Sequence, residues 1–226
     1  MKKIITLITL ILSLNLFSQK GKIFIETNYN TFSHSSLSNF QKELANDINP
    51  QIPIAITDDF SSHVGFTLGY EITDIKTSIF VSYNSTGGKI SYSDFSGVIR
   101  LEQPLSAFTL GGMYHLNLSD KFKIGFKGFA MFSNLKLDSY SKIGSVENKN
   151  LIKLSSIDIG VGTSLIYEYP ISFFIIRANI GFDLTLGNQL NINGIQDAYL
   201  INKSGKQVTT GWTGFRSGLG IAIPIN

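Results

Sequence analysis

The chain has no cysteine, five prolines and one tryptophan among its 226 residues, and only 15% of the residues are charged. Without cysteine it can form neither a disulfide framework nor a thiolate metal site. The formal net charge of +3 is too small to indicate a nucleic-acid partner. A hydrophobic content of 43% argues against a disordered chain. Length and composition therefore leave a single all-β globule or a membrane β-barrel.

Long hydrophobic runs are absent beyond the N-terminus. Residues 1–18 carry two lysines directly after Met1, continue with the apolar stretch Ile4–Phe17 and end in a small residue, Ser18. This pattern predicts a cleaved secretory signal peptide rather than an anchor helix, because the apolar stretch is short for a membrane span. Residues 19–226 would then be the exported domain. Any membrane crossing in that domain must use strands.

Alternating apolar and polar residues recur along the exported chain and predict strands. The pattern is clearest between Ile176 and Leu186, where apolar residues occupy the even positions and polar residues the odd ones. Apparent irregularities near Ser133 and in the glycine-containing segment Ser85–Lys89 are interpreted as β-bulges. The eight predicted strands are Lys22–Phe32, His63–Thr73, Lys76–Ser93, Val98–Leu118, Phe122–Tyr140, Leu151–Tyr169, Ser172–Leu190 and Gly211–Ile225.

The apolar faces of these strands allow two interpretations. In a soluble exported barrel that binds a lipophile, the apolar faces would point inward. In a membrane barrel they face lipid, and the polar, glycine-rich faces line a narrow interior. Several strands are longer than is usual in soluble sheets, and the apolar faces carry no charge. We therefore expect an all-β, eight-stranded antiparallel up-and-down transmembrane β-barrel.

The connections alternate in length, as insertion from one side of a membrane requires. Short turns are expected on the periplasmic side, and the longer connections outside. The predicted short turns are Asp74–Ile75, Ser119–Lys121 and Pro170–Ile171; the long connections are His34–Ser62 and Asn191–Thr210, with shorter turns near Asp94–Gly97 and Ser145–Asn150. Aromatic residues near strand ends are expected to form interfacial girdles, namely Tyr29, Tyr70, Tyr114, Tyr167, Tyr169 and Trp212.

Several short segments carry a resemblance to a known family. They are the signal sequence ending in LFSQ, YNSTGGKISYS at Tyr83–Ser93, IRLEQPLSAFTLGGMYHL at Ile99–Leu116, and SGLGIAIPI at Ser217–Ile225. The chain resembles the bacterial outer-membrane β-barrel ("porin family") domains, specifically the small eight-stranded OmpA-transmembrane and OmpX-like type. The resemblance implies a monomer in the outer membrane that contacts lipid and lipopolysaccharide and is assembled by the outer-membrane insertion machinery. It implies no cofactor.

Charged residues on the predicted inward faces are the first candidates for a functional site. They could line an ion path or form a salt-bridged plug, and the narrow interior of an eight-stranded barrel favours the plug. Arg177 and Arg216 are expected to be neighbours, because their strands are adjacent. The predicted polar network of the lumen comprises Glu26, Glu71, Lys127, Asp158, Glu168, Arg177, Asp183 and Arg216.

The histidines raise the question of an outer-leaflet lipid-modifying enzyme that would use a serine and a histidine. His63 follows Ser61 and Ser62, but sequence neighbours do not form a catalytic triad. His115 is expected to point inward near the periplasmic end of its strand, which is the wrong end for such chemistry. His34, His63 and His115 show no metal-ligand spacing. The sequence therefore predicts no catalytic, cofactor-binding or metal-binding residues.

Two connections are candidate interaction elements. In the first, Ser38–Asn46 is predicted to form a short amphipathic helix capped by Ser36 or Ser38, with Phe40 and Leu44 against the barrel mouth. This helix could be a lid, a receptor-binding element or only a cap.

The last long connection carries Tyr199 and a predicted hairpin around Lys203–Gly205. Together with Phe40 and Leu44, Tyr199 completes the predicted loop-interaction residues. The resulting expectation is a non-enzymatic barrel with a structural or surface-interaction role, through binding of an extracellular partner or adhesion. The alternative is a narrow passive pore for ions or small solutes.

Overall fold

The structure is a computed structural model that describes residues 20–187 and 189–225. The predicted signal peptide, residues 1–18, lies outside the described residues. Within the described ranges there are ten strands and one helix. Their bounds are β1 Gly21–Ser33, α1 Ser35–Ile48, β2 Ala55–Asp59, β3 His63–Ile72, β4 Thr77–Ser93, β5 Gly97–Asn117, β6 Phe122–Ile143, β7 Val146–Ile171, β8 Phe174–Leu186, β9 Asn191–Ile192 and β10 Thr213–Ile225.

Eight of these strands form a closed antiparallel ring in the order β1, β3, β4, β5, β6, β7, β8, β10. The ring closes where β10 pairs with β1, from Gly21 opposite Ile225 to Ser33 opposite Thr213. A closed ring leaves no unpaired sheet edge within the barrel wall. The predicted eight-stranded up-and-down barrel is therefore confirmed.

The two ends of the ring differ. The short-turn end carries the connections 73–76, 118–121 and 172–173. The opposite end, here called the capped end, carries α1, β2 and the connection 187–212. At this end β7 continues past the ring, because its pairing with β8 begins only at Ile159. The predicted loop Ser145–Asn150 is wrong, since β6 and β7 remain paired up to Ile143 opposite Val146.

Neither predicted bulge is present. Ser133 pairs in continuous register with Ala107 on one side and Ser156 on the other. The β4–β5 pairing likewise runs without a shift through Ser85–Lys89. The apparent change near Ser133 arises because the inward face of β6 becomes apolar toward the capped end. Packing explains the glycine at position 88, because a Cβ there would lie 2.6 Å from the Phe60 ring and 2.6 Å from the Gln41 amide.

The outward face of the ring is apolar all the way round. Each ring strand has an outward apolar residue that is 45–63% exposed, namely Ile25, Leu68, Ile79, Leu110, Val161, Ile180, Leu219 and Phe126. A soluble monomer rarely exposes a contiguous apolar patch larger than a few hundred Å². This continuous belt is the lipid-facing surface of a membrane barrel. Among the described residues, no helix has the length and hydropathy needed to span a membrane.

The predicted aromatic girdle is only partly outward. Tyr29, Tyr114 and Tyr169 are about half exposed on the barrel wall, at 53%, 48% and 45%. Trp212 is fully buried inside the capped end, so its assignment to the girdle is wrong. The residue follows a long connection that folds back into the barrel mouth, which strand periodicity does not reveal.

Candidate functional site

The largest cluster of charged side chains lies inside the barrel near the short-turn end, around Arg177. Its Nε lies 2.5 Å from Glu26 Oε1, and its Nη1 lies 2.7 Å from Glu168 Oε1 and 3.4 Å from Glu71 Oε2. Asn179 donates to the second oxygen of Glu26 at 2.8 Å. Four strands therefore supply one connected network, because residues distant in sequence face each other across the narrow lumen.

Two lysines complete this cluster and were not among the predicted site residues. Lys123 Nζ lies 2.6 Å from Glu71 and 3.0 Å from Glu168. Lys22 Nζ lies 2.6 Å from Glu168 and 3.5 Å from Glu71. Strand periodicity contains the signal, since Lys22 shares a face with Glu26, and Lys123 shares one with Lys127. The cluster thus has three cations and three carboxylates, so its buried charges are balanced.

A second, smaller ion cluster surrounds Asp183, which is buried. Lys127 Nζ lies 2.7 Å from Asp183 Oδ1, and Arg216 Nε lies 3.3 Å from Asp183 Oδ2. Arg177 and Arg216 lie on paired strands but are not direct neighbours, because the register places Arg216 opposite Gly181 and Arg177 opposite Gly220, and they bind different acids. Both line a cavity of about 30 Å³. A cavity of that size has room for at least one water molecule.

Asp158, the last of the predicted lumen residues, is held by hydroxyl groups. Ser133 and Thr210 donate to its Oδ2 at 3.1 Å and 2.8 Å, and Ser156 donates to its Oδ1 at 3.1 Å. The indole of Trp212 donates to Ser133 Oγ at 2.9 Å. These contacts join the end of the last long connection to β6 and β7.

Aromatic rings fill the mouth around Trp212. Its ring centroid lies 4.8 Å from that of His34, 5.7 Å from that of His63 and 5.9 Å from that of Phe32. His34 Nδ1 is 2.6 Å from the carbonyl oxygen of Thr210. Burial lowers the pKa of His34 below its usual value, although that hydrogen bond acts in the opposite direction. The His34 imidazole is therefore neutral near pH 7.

The histidines do not assemble a catalytic or metal site in the described part of the chain. His63 is buried among the mouth rings, whereas Ser61 and Ser62 are exposed. His115 Nε2 lies 2.8 Å from Ser78 Oγ, and both side chains are sealed inside the barrel. No group of three or more histidine, cysteine, aspartate or glutamate side chains with metal-binding geometry occurs among the described residues.

Helix α1 closes the capped end. It is longer than the predicted Ser38–Asn46 and begins after His34, without a side-chain cap. The predicted capping by Ser36 or Ser38 is wrong, because Ser36 Oγ accepts a hydrogen bond from the Thr209 backbone and Ser38 Oγ donates to the Asp59 carbonyl.

The three predicted loop residues are placed differently from one another. Phe40 is buried in the apolar cluster of the mouth, and Leu44 is half-buried against it. Tyr199 is 40% exposed. Phe40 and Leu44 thus serve the packing of the helix on the barrel, while Tyr199 faces outward.

A turn in the connection 187–212 binds α1 through two contacts of Lys203. The Lys203 backbone N–H donates to Glu43 at 2.9 Å, and the Lys203 side chain forms an ion pair with Asp47. Gly205 adopts a positive φ of 75° within this turn, which is where a hairpin was predicted. The helix and the last long connection therefore form one joined cap.

Comparisons with solved structures return β-barrels. Neisserial surface protein A is 11% identical over 90% of this chain and 96% of its own, with a TM-score of 0.41. Ail, the attachment invasion locus protein of Yersinia pestis, is 12% identical over 91% and 98%, with a TM-score of 0.38. A major outer membrane protein from Thermus thermophilus is 8% identical over 90% and 99%, with a TM-score of 0.48. No protein-family model and no curated protein sequence matches the chain. Scores this low decide neither family nor activity.

Proposed function

We propose that this chain is an integral barrel of the bacterial outer membrane, of the small OmpX-like type, with a structural or surface-interaction role and no enzymatic activity. The observation that carries the proposal is the combination of an apolar belt outside and a filled, capped lumen inside. Its surroundings would be outer-membrane lipid and lipopolysaccharide, with the insertion machinery as a partner during assembly. An extracellular partner would bind at the capped end.

The interior supports a closed barrel. From the short-turn end upward, the lumen holds the Arg177 cluster, the Asp183 cluster, the hydroxyl-bound Asp158 and the rings around Trp212. Helix α1 and its fastening turn lie above these layers. Buried charges that are paired and balanced stabilise a plug rather than a path for ions.

The capped end presents apolar side chains on a supported frame. Phe95 is fully exposed at the tip of the β4–β5 hairpin. The adjoining Asp94 carboxylate accepts hydrogen bonds from the Ser96 hydroxyl, the Tyr92 hydroxyl and the Gly97 amide. The Ser96 hydroxyl makes the largest contribution to lowering the pKa of Asp94 to about 2. Exposed apolar tips on a rigid scaffold are suited to contact with a partner.

Surface display can be tested directly because the chain has no native cysteine. We expect Phe95→Cys and Tyr199→Cys to react with a membrane-impermeant maleimide in intact cells. The matched control, Asp120→Cys at the short-turn end, should react only after the cells are permeabilised. Labelling of Asp120→Cys alone in intact cells would contradict the proposed orientation.

The alternative function is a narrow passive pore, and the observation that favours it is the small cavity in the lumen beside Arg177 and Arg216. A lumen closed by the layers described above should give no discrete conductance steps in planar bilayers. Protein from the same preparation must be shown to be folded, so that failed insertion is not mistaken for a closed lumen. Reproducible single-channel steps would contradict the closed barrel and support the pore.

A further inference from the structure

The outer wall formed by β6 and β7 changes character in three steps toward the capped end. Phe132 stands opposite Ile157, then Asn134 opposite Ser155, then Lys136 opposite Lys153. Phe132 and Ile157 are 42% and 58% exposed and belong to the apolar belt. Asn134, Ser155, Lys136 and Lys153 are here called the lysine patch. The patch thus lies directly beyond the lipid-facing surface.

Spacing places the patch at the level of lipid headgroups. Lys136 lies four residue steps beyond Phe132, which is about 13 Å along the strand. The usual strand tilt of a barrel reduces this to about 10 Å along its axis. The headgroup region extends roughly 5–8 Å beyond the hydrocarbon on each side. Because a lysine side chain is long and flexible, its ammonium group can reach back toward the membrane and into the headgroup region.

The charges of the patch are not balanced by the protein. Lys136 on β6 stands directly opposite Lys153 on the adjacent strand β7. Like charges in such a cross-strand pair destabilise a sheet. Among the described residues, no ion pair joins either lysine to a carboxylate, and Asp138, the next outward residue on β6, pairs with neither. Three other cations of the outer wall are paired: Lys89 with Glu102 at 3.4 Å, Arg100 with Glu102 at 3.8 Å, and Lys149 with Glu147 at 2.8 Å.

Neighbouring groups add hydrogen-bonding capacity beside the two ammonium groups. Ser155 Oγ donates to Asn193 Oδ1 at 2.7 Å, and the Asn193 backbone N–H donates to the Lys153 carbonyl at 2.9 Å. Asn193 is thereby held against the patch, where its amide and that of Asn134 can donate to an external acceptor. Phosphate oxygens accept from ammonium and amide groups.

We propose that the lysine patch binds the phosphate of a phosphorylated lipid in the leaflet at the capped end. Lys136 and Lys153 would share the phosphate, and the acyl chains would lie along Phe132 and Ile157. The continuity between the patch and the apolar belt favours a lipid over a soluble anion, since one amphipathic molecule covers both surfaces. This site is independent of any extracellular partner.

The test is a titration of bisphosphorylated lipid A into the detergent-folded protein, with bound lipid counted by native mass spectrometry. The test variant is K136Q/K153Q. The matched control, K142Q/K149Q, removes the same charge from the outer part of the same hairpin. Each lysine near an anionic surface contributes enough that losing two should weaken binding about 30-fold. The control should bind as the unmodified chain does.

Three results would overturn the proposal. An unchanged affinity in K136Q/K153Q would mean that the patch holds no lipid. An equal loss in both variants would mean that general charge, rather than a site, attracts lipid A. Full competition by inorganic phosphate would mean that the site takes free phosphate instead of a lipid. Because all four lysines are exposed, both variants are expected to fold. A heat-dependent gel shift of each variant checks this.

Discussion

Arg177→Met should lower the free energy of unfolding by about 3–5 kcal/mol, because it removes the cation shared by three buried carboxylates. Glu71 and Glu168 would keep only lysine partners, and Glu26 would keep only the Asn179 amide. Methionine fills a similar volume, so the loss reports uncompensated charge more than a cavity. Urea unfolding of the detergent-folded protein can follow the single tryptophan, which is buried in the mouth.

The control for this prediction is Arg100→Met on the outer wall. Arg100 is exposed, and its contacts are a 3.8 Å approach to Glu102 and the face of the Tyr140 ring. Exposed pairs of this kind contribute at most about 1 kcal/mol. If Arg177→Met cost no more than Arg100→Met, the buried network would not be what stabilises the barrel interior.

Leu110→Arg is expected to cost about 2–4 kcal/mol, because it places a charge at the middle of the lipid-facing belt. Leu110 is 53% exposed, with Val81 and Ala130 opposite it on the neighbouring strands. On a surface that faced water, the same substitution would change stability by no more than about 0.5 kcal/mol. Refolding into lipid vesicles over a urea series measures the difference.

Leu118→Arg provides the comparison. Leu118 is 60% exposed but lies in the connection at the short-turn end, where an arginine can reach the interface. Its expected cost is about 0–1 kcal/mol. Equal stability of the two arginine variants would contradict the assignment of the belt to lipid.

The barrel could be predicted from the sequence because each wall strand separates two environments at every second residue. Between Ile176 and Leu186, that alternation alone placed Arg177 and Asp183 inside and the apolar residues outside. The same rule covers Lys22 and Lys123, but each is the second residue of its strand, where the alternation has barely begun and does not distinguish an inward lysine from one in a turn. Period-two reasoning was sufficient to separate the inward from the outward face of the wall strands, although the bulges it suggested near Ser133 and in Ser85–Lys89 are absent.

Pairing inside the lumen could not be predicted. Arg177 and Glu26 are separated by 151 residues, and their contact depends on the register of several strands and on closure of the ring. Trp212 was assigned to the girdle for a related reason. Its burial depends on a connection that folds back to bring Thr210 to Asp158 and His34, and no local pattern encodes such a return.

The central claim, a closed barrel embedded in the outer membrane, is tested most directly by heat-modifiability. Outer-membrane and periplasmic fractions would be separated, and detergent-extracted protein compared on a gel with and without boiling. We predict a band in the outer-membrane fraction whose mobility shifts on boiling, because a paired ring with a filled lumen resists detergent until it is heated. A periplasmic protein whose mobility does not change would contradict the account, since the apolar belt would then be covered by something other than lipid.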